Sequence, residues 1–187
     1  VRYMWYFGDG DSSDFISPIH VYDTSGIFNV RLRAISDKWN VIKDSIITIT
    51  VGEVPKVKFS LVNRCIGTPI TFNNQTTITS GTLNYLWKFG DGTTQTSTNN
   101  NPFTKSYSQA GIYYVTLYAS SANGCTDSFS KNAYQFTKPV ANFSLLEGAC
   151  INKPFKFVNS STIALGDFGN TWNFDDGGAI ATDENPT

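Results

Sequence analysis

Three closely spaced aspartates near the start of the chain could bind a cation. Asp9, Asp11 and Asp14 lie in one short polar stretch, and Ca²⁺ takes several carboxylate oxygens as ligands. The related stretch at residues 90–95 reads Gly-Asp-Gly-Thr-Thr-Gln and carries a single carboxylate. The three aspartates are therefore a calcium candidate for the first part of the chain alone, and we assign no metal to the rest.

A second group of aspartates recurs at one position of a repeated motif. Asp9, Asp91 and Asp176 each follow a Trp-x-Phe sequence and precede a glycine. Glycine permits a positive φ, and an Asp side chain can accept a hydrogen bond from a nearby backbone N–H. We interpret these three residues as turn-capping groups at the ends of strands, in preference to catalytic groups.

His20 is the single histidine, and it lies between Pro18 and Tyr22. Without a second histidine or a nearby cysteine, the sequence suggests neither a metal cluster nor a nucleophile–base pair. We predict a structural role for His20. No G-x-S-x-G, P-loop or paired-carboxylate pattern occurs in the chain, so we predict no enzyme activity and no cofactor.

The aspartates of the second group belong to a sequence motif that occurs three times in the chain. Trp-x-Phe occurs at Trp5, Trp87 and Trp172, at intervals of 82 and 85 residues. Residues two apart on a strand share a face, so Trp and Phe can fill a core together. The predicted core positions are Trp5, Trp87, Trp172, Phe89, Tyr113 and Val115.

Alternating and β-branched segments predict strands throughout and no long helix. The first part has strands at 2–7, 27–35 and 44–51, with a hairpin tip at 36–40. Predicted strands further along lie at 57–62, 68–74, 83–89, 104–107, 112–120 and 126–136, with a weaker candidate at 93–96. The last part opens with strands near 141–145 and 155–157, followed by a strand at Trp172. The fold class is therefore all-β.

The motif order narrows this class. W-x-F-G-D-G is followed by a proline and then by Y-x-x-x-G-x-Y/F-x-V-x-L, at Trp5 to Leu32 and again at Trp87 to Leu117. This pattern resembles the PKD domain, an immunoglobulin-like β-sandwich. The resemblance implies tandem sandwiches arranged as beads on a string. Cys65-Ile66-Gly67 and Gly124-Cys125-Thr126-Asp127 further resemble PKD repeats of large surface proteins and gliding adhesins of bacteria with type IX secretion.

The spacing of the repeated motif predicts three units, called unit one, unit two and unit three. Unit one (1–53) lacks its first strands, unit two (54–138) is complete, and unit three (139–187) is truncated at its C-terminal end. Pro55 and Pro139 lie in the short linkers between them. Proline restricts the backbone, so we expect a semi-rigid string of units.

The resemblance suggests a role for Tyr113, and the predicted hairpin tip suggests one for Trp39. Tyr113 falls where immunoglobulin-like folds carry a tyrosine corner, whose hydroxyl bonds back to the preceding loop. Trp39 lies on the hairpin tip of unit one and is a candidate ligand contact, although packing against a preceding unit is the favoured interpretation.

The resemblance to PKD repeats suggests a disulfide between Cys65 and Cys125. In a seven-strand sandwich, however, their loops would lie at opposite ends, about 30 Å apart, whereas a disulfide requires Cα atoms within about 7 Å. We therefore favour a latch that joins the Cys65-type residue of one unit to the Cys125-type residue of the next. Cys150 is the Cys65-type residue of unit three.

Composition limits the partners. Charged residues make up 16% of the chain and the net charge is −1, which gives no electrostatic attraction to nucleic acid. The sequence contains no run of about 20 apolar residues, which is the length that a membrane-spanning helix needs. The expected partners are neighbouring repeats, with surface polysaccharide or other cell-surface proteins as further candidates.

The leading functional hypothesis is a non-enzymatic stalk segment of a long extracellular adhesin on a bacterial cell surface, such as a gliding-motility filament. The alternatives are a carbohydrate- or protein-binding module and an accessory domain of a secreted hydrolase.

Overall fold

A computed structural model describes residues 1–39, 41–146, 153–178 and 180–186. Strands and loops account for all of these residues, and none of them is helical. The described part of the chain accordingly contains no helix that is long and apolar enough to cross a membrane. The all-β class predicted from the sequence is confirmed.

Unit one contributes a single four-stranded antiparallel sheet. Its strands are β1 (Arg2–Tyr6), β2 (Ser12–Ser13), β3 (Gly26–Ile35) and β4 (Ile42–Val51), in the order β2-β1-β3-β4. The hairpin tip between β3 and β4 closes with a hydrogen bond from the Ser36 N–H to the Val41 carbonyl.

Unit two is a sandwich of two sheets. Its strands are β5 (Phe59–Val62), β6 (Arg64–Cys65), β7 (Ile70–Asn74), β8 (Leu83–Lys88), β9 (Thr94–Ser97), β10 (Phe103–Lys105), β11 (Gly111–Ser121) and β12 (Thr126–Phe136). One sheet has the order β10-β7-β5 and the other β6-β12-β11-β8-β9. The weak strand candidate at 93–96 is thus the edge strand β9.

The opening strand of unit two differs from its prediction. The sequence predicts one strand at 57–62, but the chain pairs with β7 through β5 and then crosses to the other sheet as β6. There β6 runs parallel to β12, with Cys65 opposite Phe136. The short second strand of the unit, β6, is therefore joined directly to the last strand, β12.

Unit three is described in less regular form. β13 (Phe143–Leu145) pairs antiparallel with β14 (Phe157–Asn159). The predicted strand at Trp172 is reduced to an isolated bridge between Trp172 and Ala181, so that prediction is wrong for the described residues. The bridge lacks a neighbouring strand that would extend it into a ladder.

An aromatic cluster forms the core of unit two. Trp87 is 1% exposed and lies parallel to Phe89, with ring centroids 6.3 Å apart. Phe59 and Phe72, from the opposing sheet, meet the Trp87 ring edge-on at 4.9 and 5.7 Å. Val115 is fully buried in the same cluster. Because side chains alternate along β8, Trp87 and the following Phe89 lie on the same face of the sheet.

The same arrangement of rings returns in unit three. Trp172 lies nearly parallel to Phe174 at 6.4 Å, and Phe143 and Phe157 contact its ring at 5.4 and 5.8 Å. The sequence repeat is therefore also a repeat of packing geometry.

Three predicted core residues are less buried than expected. Trp5 and Trp172 are half-buried, because the described strands of unit one form one layer and those of unit three pair only locally. Tyr113 is also partly buried, since it lies at the start of β11 where the sandwich opens to solvent.

Replacement of the central tryptophan tests this core. We expect Trp87→Ala to lower the free energy of unfolding by about 3–5 kcal/mol, because it removes a large side chain from a packed interior. Urea unfolding followed by circular dichroism measures the change. Trp39→Ala is the matched control, since Trp39 is 71% exposed. A loss at Trp87 no larger than at Trp39 would contradict the packing described here.

Candidate functional site

The turn that follows each Trp-x-Phe strand carries the same aspartate cap. Asp9, Asp91 and Asp176 each accept, through Oδ1, a hydrogen bond from the backbone N–H two residues later, at 3.1, 2.9 and 2.8 Å. The aspartate thus satisfies a backbone donor at the point where the strand ends. This is the capping geometry that the repeated motif predicts.

Backbone crowding explains the glycine that precedes this cap. Gly90 has a φ of 78°, and a methyl group there would lie 2.8 Å from the Tyr114 nitrogen on β11. Gly8 has a φ of 90° and faces Asn29 in the same way. In unit three the position is taken by Asp175, which keeps a left-handed φ of 57°. The turn therefore holds one backbone shape in all three units.

A tyrosine hydroxyl closes the strand end from the opposite side. The Tyr107 hydroxyl donates a hydrogen bond to the Phe89 carbonyl at 3.0 Å, and in unit one Tyr22 donates to the Phe7 carbonyl at 2.9 Å. Burial raises the pKa of Tyr107, so its hydroxyl remains a donor. Both tyrosines are landmarks of the sequence repeat, but the repeat alone does not give their partner.

A cationic side chain lies beside the capping aspartate of unit two. Lys105 Nζ is 2.8 Å from Asp91 Oδ2 and 5.3 Å from the centre of the Phe89 ring. Partial burial opposes ionisation of Asp91, but hydrogen bonds from Lys105 and Thr93 outweigh it and lower the pKa of that carboxyl.

In unit one the corresponding place is taken by His20. Its Nε2 lies 2.6 Å from Asp9 Oδ2, and its ring stacks on Phe7 with centroids 3.9 Å apart. The hydrogen bond with His20 holds the pKa of Asp9 below its ordinary value. His20 precedes Tyr22 by two residues, as Lys105 precedes Tyr107.

These contacts change the calcium candidate predicted from the sequence. Potential ligand atoms of Asp9, Asp11 and His20 lie within 4.8 Å of one another, whereas Asp14 is outside the group. His20 therefore lies beside two carboxylates that the sequence did not connect with it, while its predicted structural role stays a prediction. The contact between His20 and Asp9 was not apparent from the sequence, because it depends on the loop that follows β2 and returns His20 to the ring of Phe7.

Tyr113 forms the local bond that its place in the repeat implies. Its hydroxyl donates to the Gln109 carbonyl in the preceding loop at 2.8 Å, and its ring stacks on Tyr107 at 3.8 Å. Phe28 takes the equivalent place in unit one, packing against Tyr22 at 4.4 Å without a hydroxyl.

Gln135 is a structural residue that the sequence analysis missed. It is fully buried, and its Nε2 donates to the Cys65 carbonyl at 2.6 Å and to the Thr68 carbonyl at 3.2 Å. It shares the inward phase of Ala133 on β12. A polar residue at an inward-facing position of a predicted strand was the feature of the sequence that could have identified Gln135.

The cysteines lie at opposite ends of unit two. Cys65 pairs with the last residue of β12, Phe136, and Cys125 directly precedes the first. The strand between them is about 35 Å long, and neither residue forms a disulfide within the described chain. A bridge within the unit is therefore excluded, while the latch between units stays a prediction. Cys150 lies outside the described residues.

Trp39 is exposed on the β3–β4 hairpin tip, with Lys38 Nζ 5.2 Å from the centre of its ring. The described residues bring no aromatic partner to it. It remains a candidate contact for a ligand or for another unit.

Removal of single hydroxyls tests the closure of the strand end. We expect Tyr107→Phe to destabilise unit two by about 1–3 kcal/mol, because it leaves the Phe89 carbonyl without its buried donor. Tyr113→Phe is the matched control and should cost less, since its hydrogen bond is exposed to solvent. Chemical denaturation of both variants gives the comparison. A Tyr113 loss equal to or larger than the Tyr107 loss would contradict the assigned roles.

The chain is similar to parts of several known proteins. Over 53 residues the chain is 43% identical to Collagenase ColQ1 of Bacillus cereus (strain Q1), a match that covers 28% of this chain and 5% of that protein. The PKD1 domain of the Vibrio cholerae metalloprotease PrtV is similar at 28% identity and a TM-score of 0.39, over 44% of this chain and 98% of that domain. The PKD1 domain of Vibrio anguillarum Epp gives 23% identity and a TM-score of 0.39, over 44% and 94%.

A family model of the PKD domain matches residues 1–51 and 55–136. These two stretches cover well over half of the sequence and contain both complete copies of the Trp-x-Phe, Asp and Tyr arrangement described above. The chain therefore belongs to the PKD domain family.

Proposed function

We propose that this chain is a non-enzymatic stalk segment of a long extracellular protein, in which tandem PKD units hold a binding region away from a bacterial cell surface. PKD domains occur in extracellular proteins, and the low fraction of charged residues suits an uncharged polar surface. A gliding adhesin exported by type IX secretion is the specific context we propose, from the cysteine motifs.

The observation that carries this proposal is the parallel pairing of β6 with β12. Near the start of unit two, the Val57 N–H lies 3.4 Å from an Asp127 carboxyl oxygen. At the other end Cys65 lies opposite Phe136. The chain therefore enters unit two at one pole and leaves it at the other, as a spacer requires.

This topology also sets how the unit bears tension. Force on the two linkers pulls β6 and β12 in opposite directions along their shared length, so the bonds between them are loaded together. Gln135 adds two side-chain hydrogen bonds at this junction, and the Ile66 N–H donates to the Phe136 carbonyl at 2.7 Å. The junction is thus a mechanical clamp between β6, near the start of the unit, and its last strand β12.

Both poles contact the adjoining linkers. Gly52 approaches Cys125 so closely that a methyl group at Gly52 would lie 2.8 Å from the Cys125 sulfur. At the far pole, the Thr137 N–H donates to the Leu165 carbonyl of unit three at 3.2 Å. Such contacts support units joined end to end with restricted bending.

Single-molecule pulling on the full chain tests the clamp. We expect unit two to unfold in one event that releases about 250 Å of chain, from all residues between the start of β5 and the end of β12 at roughly 3.6 Å each, less the folded length. Gln135→Ala should lower the unfolding force, because it removes the bonds that are loaded first.

The control for this experiment is Val115→Ala, which weakens the same core on β11 but leaves the clamp intact. For an equal loss of equilibrium stability, the Gln135 variant should lose more force than the Val115 variant. Equal losses of force, or gradual opening of the wild type without a force peak, would contradict the stalk proposal.

A second candidate function is an accessory or binding module of a secreted hydrolase. The similarity to part of a collagenase and the 71% exposed Trp39 favour it. Retention of the chain on immobilised polysaccharide or collagen, lost in Trp39→Ala, would support this alternative over the stalk.

A further inference from the structure

We propose that Asp9, Asp11 and His20 form a binding site for a divalent transition-metal ion such as Zn²⁺, which braces the strand-end turn of unit one. This site is independent of the proposed stalk function. Neither the clamp nor the entry and exit of the chain at opposite ends of unit two depends on it.

The three residues converge from two segments of unit one. Asp9 and Asp11 lie on the turn between β1 and β2, and His20 comes from the loop that follows β2. Their potential ligand atoms all lie within 4.8 Å of one another. Ligands of Zn²⁺ lie about 2.0–2.2 Å from the metal, so small side-chain rotations would complete the contacts.

The imidazole is already held in place. Its ring stacks on Phe7 and meets Tyr22 edge-on at 4.6 Å, which leaves Nε2 directed at the Asp9 carboxylate. The His20 side chain is 14% exposed and that of Asp9 is 20% exposed. The site is therefore ordered on its protein side and open to solvent on the other, where water can complete the coordination.

Unit two provides an internal comparison at the same turn. Its corresponding residues are Asp91, Thr93 and Lys105, and the Lys105 ammonium group sits directly on the Asp91 carboxylate. One cation balances one carboxylate there. The position that faces the aspartate in unit two is thus a cation position, filled by the protein itself.

Unit one changes two of these three residues together. Asp11 stands where unit two has Thr93, and His20 stands where it has Lys105. Two carboxylates then face a group that carries at most one positive charge. Both changes replace a residue that does not ligate metals well with one that does, and they leave an excess of negative charge for a bound cation to balance.

The donor set selects the class of metal. An imidazole nitrogen with carboxylates suits Zn²⁺, Co²⁺ or Ni²⁺, whereas Ca²⁺ takes six to eight oxygen ligands. Three side chains with one nitrogen donor fall short of that oxygen shell. We therefore assign a transition metal to this site in place of the calcium that the sequence suggests.

Titration of the metal-free full chain with Zn²⁺, with all three cysteine thiols alkylated beforehand, tests the site. We expect one Zn²⁺ to bind per chain, and Ca²⁺ to bind at least tenfold more weakly. His20 is the single histidine, so its ring signals in a nitrogen–proton NMR spectrum report directly on the Nε2 ligand. These signals should shift in step with Zn²⁺ binding.

Two variants that copy unit two are the matched controls. His20→Lys and Asp11→Thr restore the combination found around Asp91, so each should fold while binding Zn²⁺ at least tenfold more weakly. Zn²⁺ binding that leaves the His20 signals unmoved, survives in both variants or is absent from the wild type would overturn the proposal. Preference for Ca²⁺ over Zn²⁺ would do the same.

Discussion

A hydrogen bond from a tyrosine hydroxyl to the carbonyl at the end of the Trp-x-Phe strand closes the strand end in units one and two. In unit two it joins Tyr107 to Phe89, and in unit one it joins Tyr22 to Phe7. It lies at the point where the strand ends and the Gly-Asp-Gly turn begins. The segment that precedes the tyrosine also brings Lys105 to the turn of unit two and His20 to that of unit one.

Around this fixed frame, the polar contacts vary from unit to unit. Lys105 neutralises Asp91 within the protein, whereas His20 stacks on Phe7 beside two carboxylates. The frame is a matter of packing and backbone shape, and changes at the exposed turn do not disturb it. A repeat array can therefore keep one fold while single units acquire distinct surface chemistry.

Sequence reasoning found the features that depend on local periodicity. The Trp87 core follows from period-two alternation, and the Asp91 cap follows from Gly-Asp-Gly. Contacts between distant segments were beyond its reach. The crossing of β6 to the second sheet, the Gln135 bonds to Cys65 and Thr68, and the approach of His20 to Asp9 all depend on how loops return. The half-burial of Trp5 depends on which layers cover it.

Small-angle X-ray scattering of the chain tests whether the units form the proposed extended spacer. A compact domain of this length would have a radius of gyration of about 16 Å. Three units of about 33 Å each joined end to end give about 25–30 Å. We expect the larger value, together with the pair-distance distribution of a rod. A radius near the compact value would mean that the units pack side by side, which would contradict the stalk.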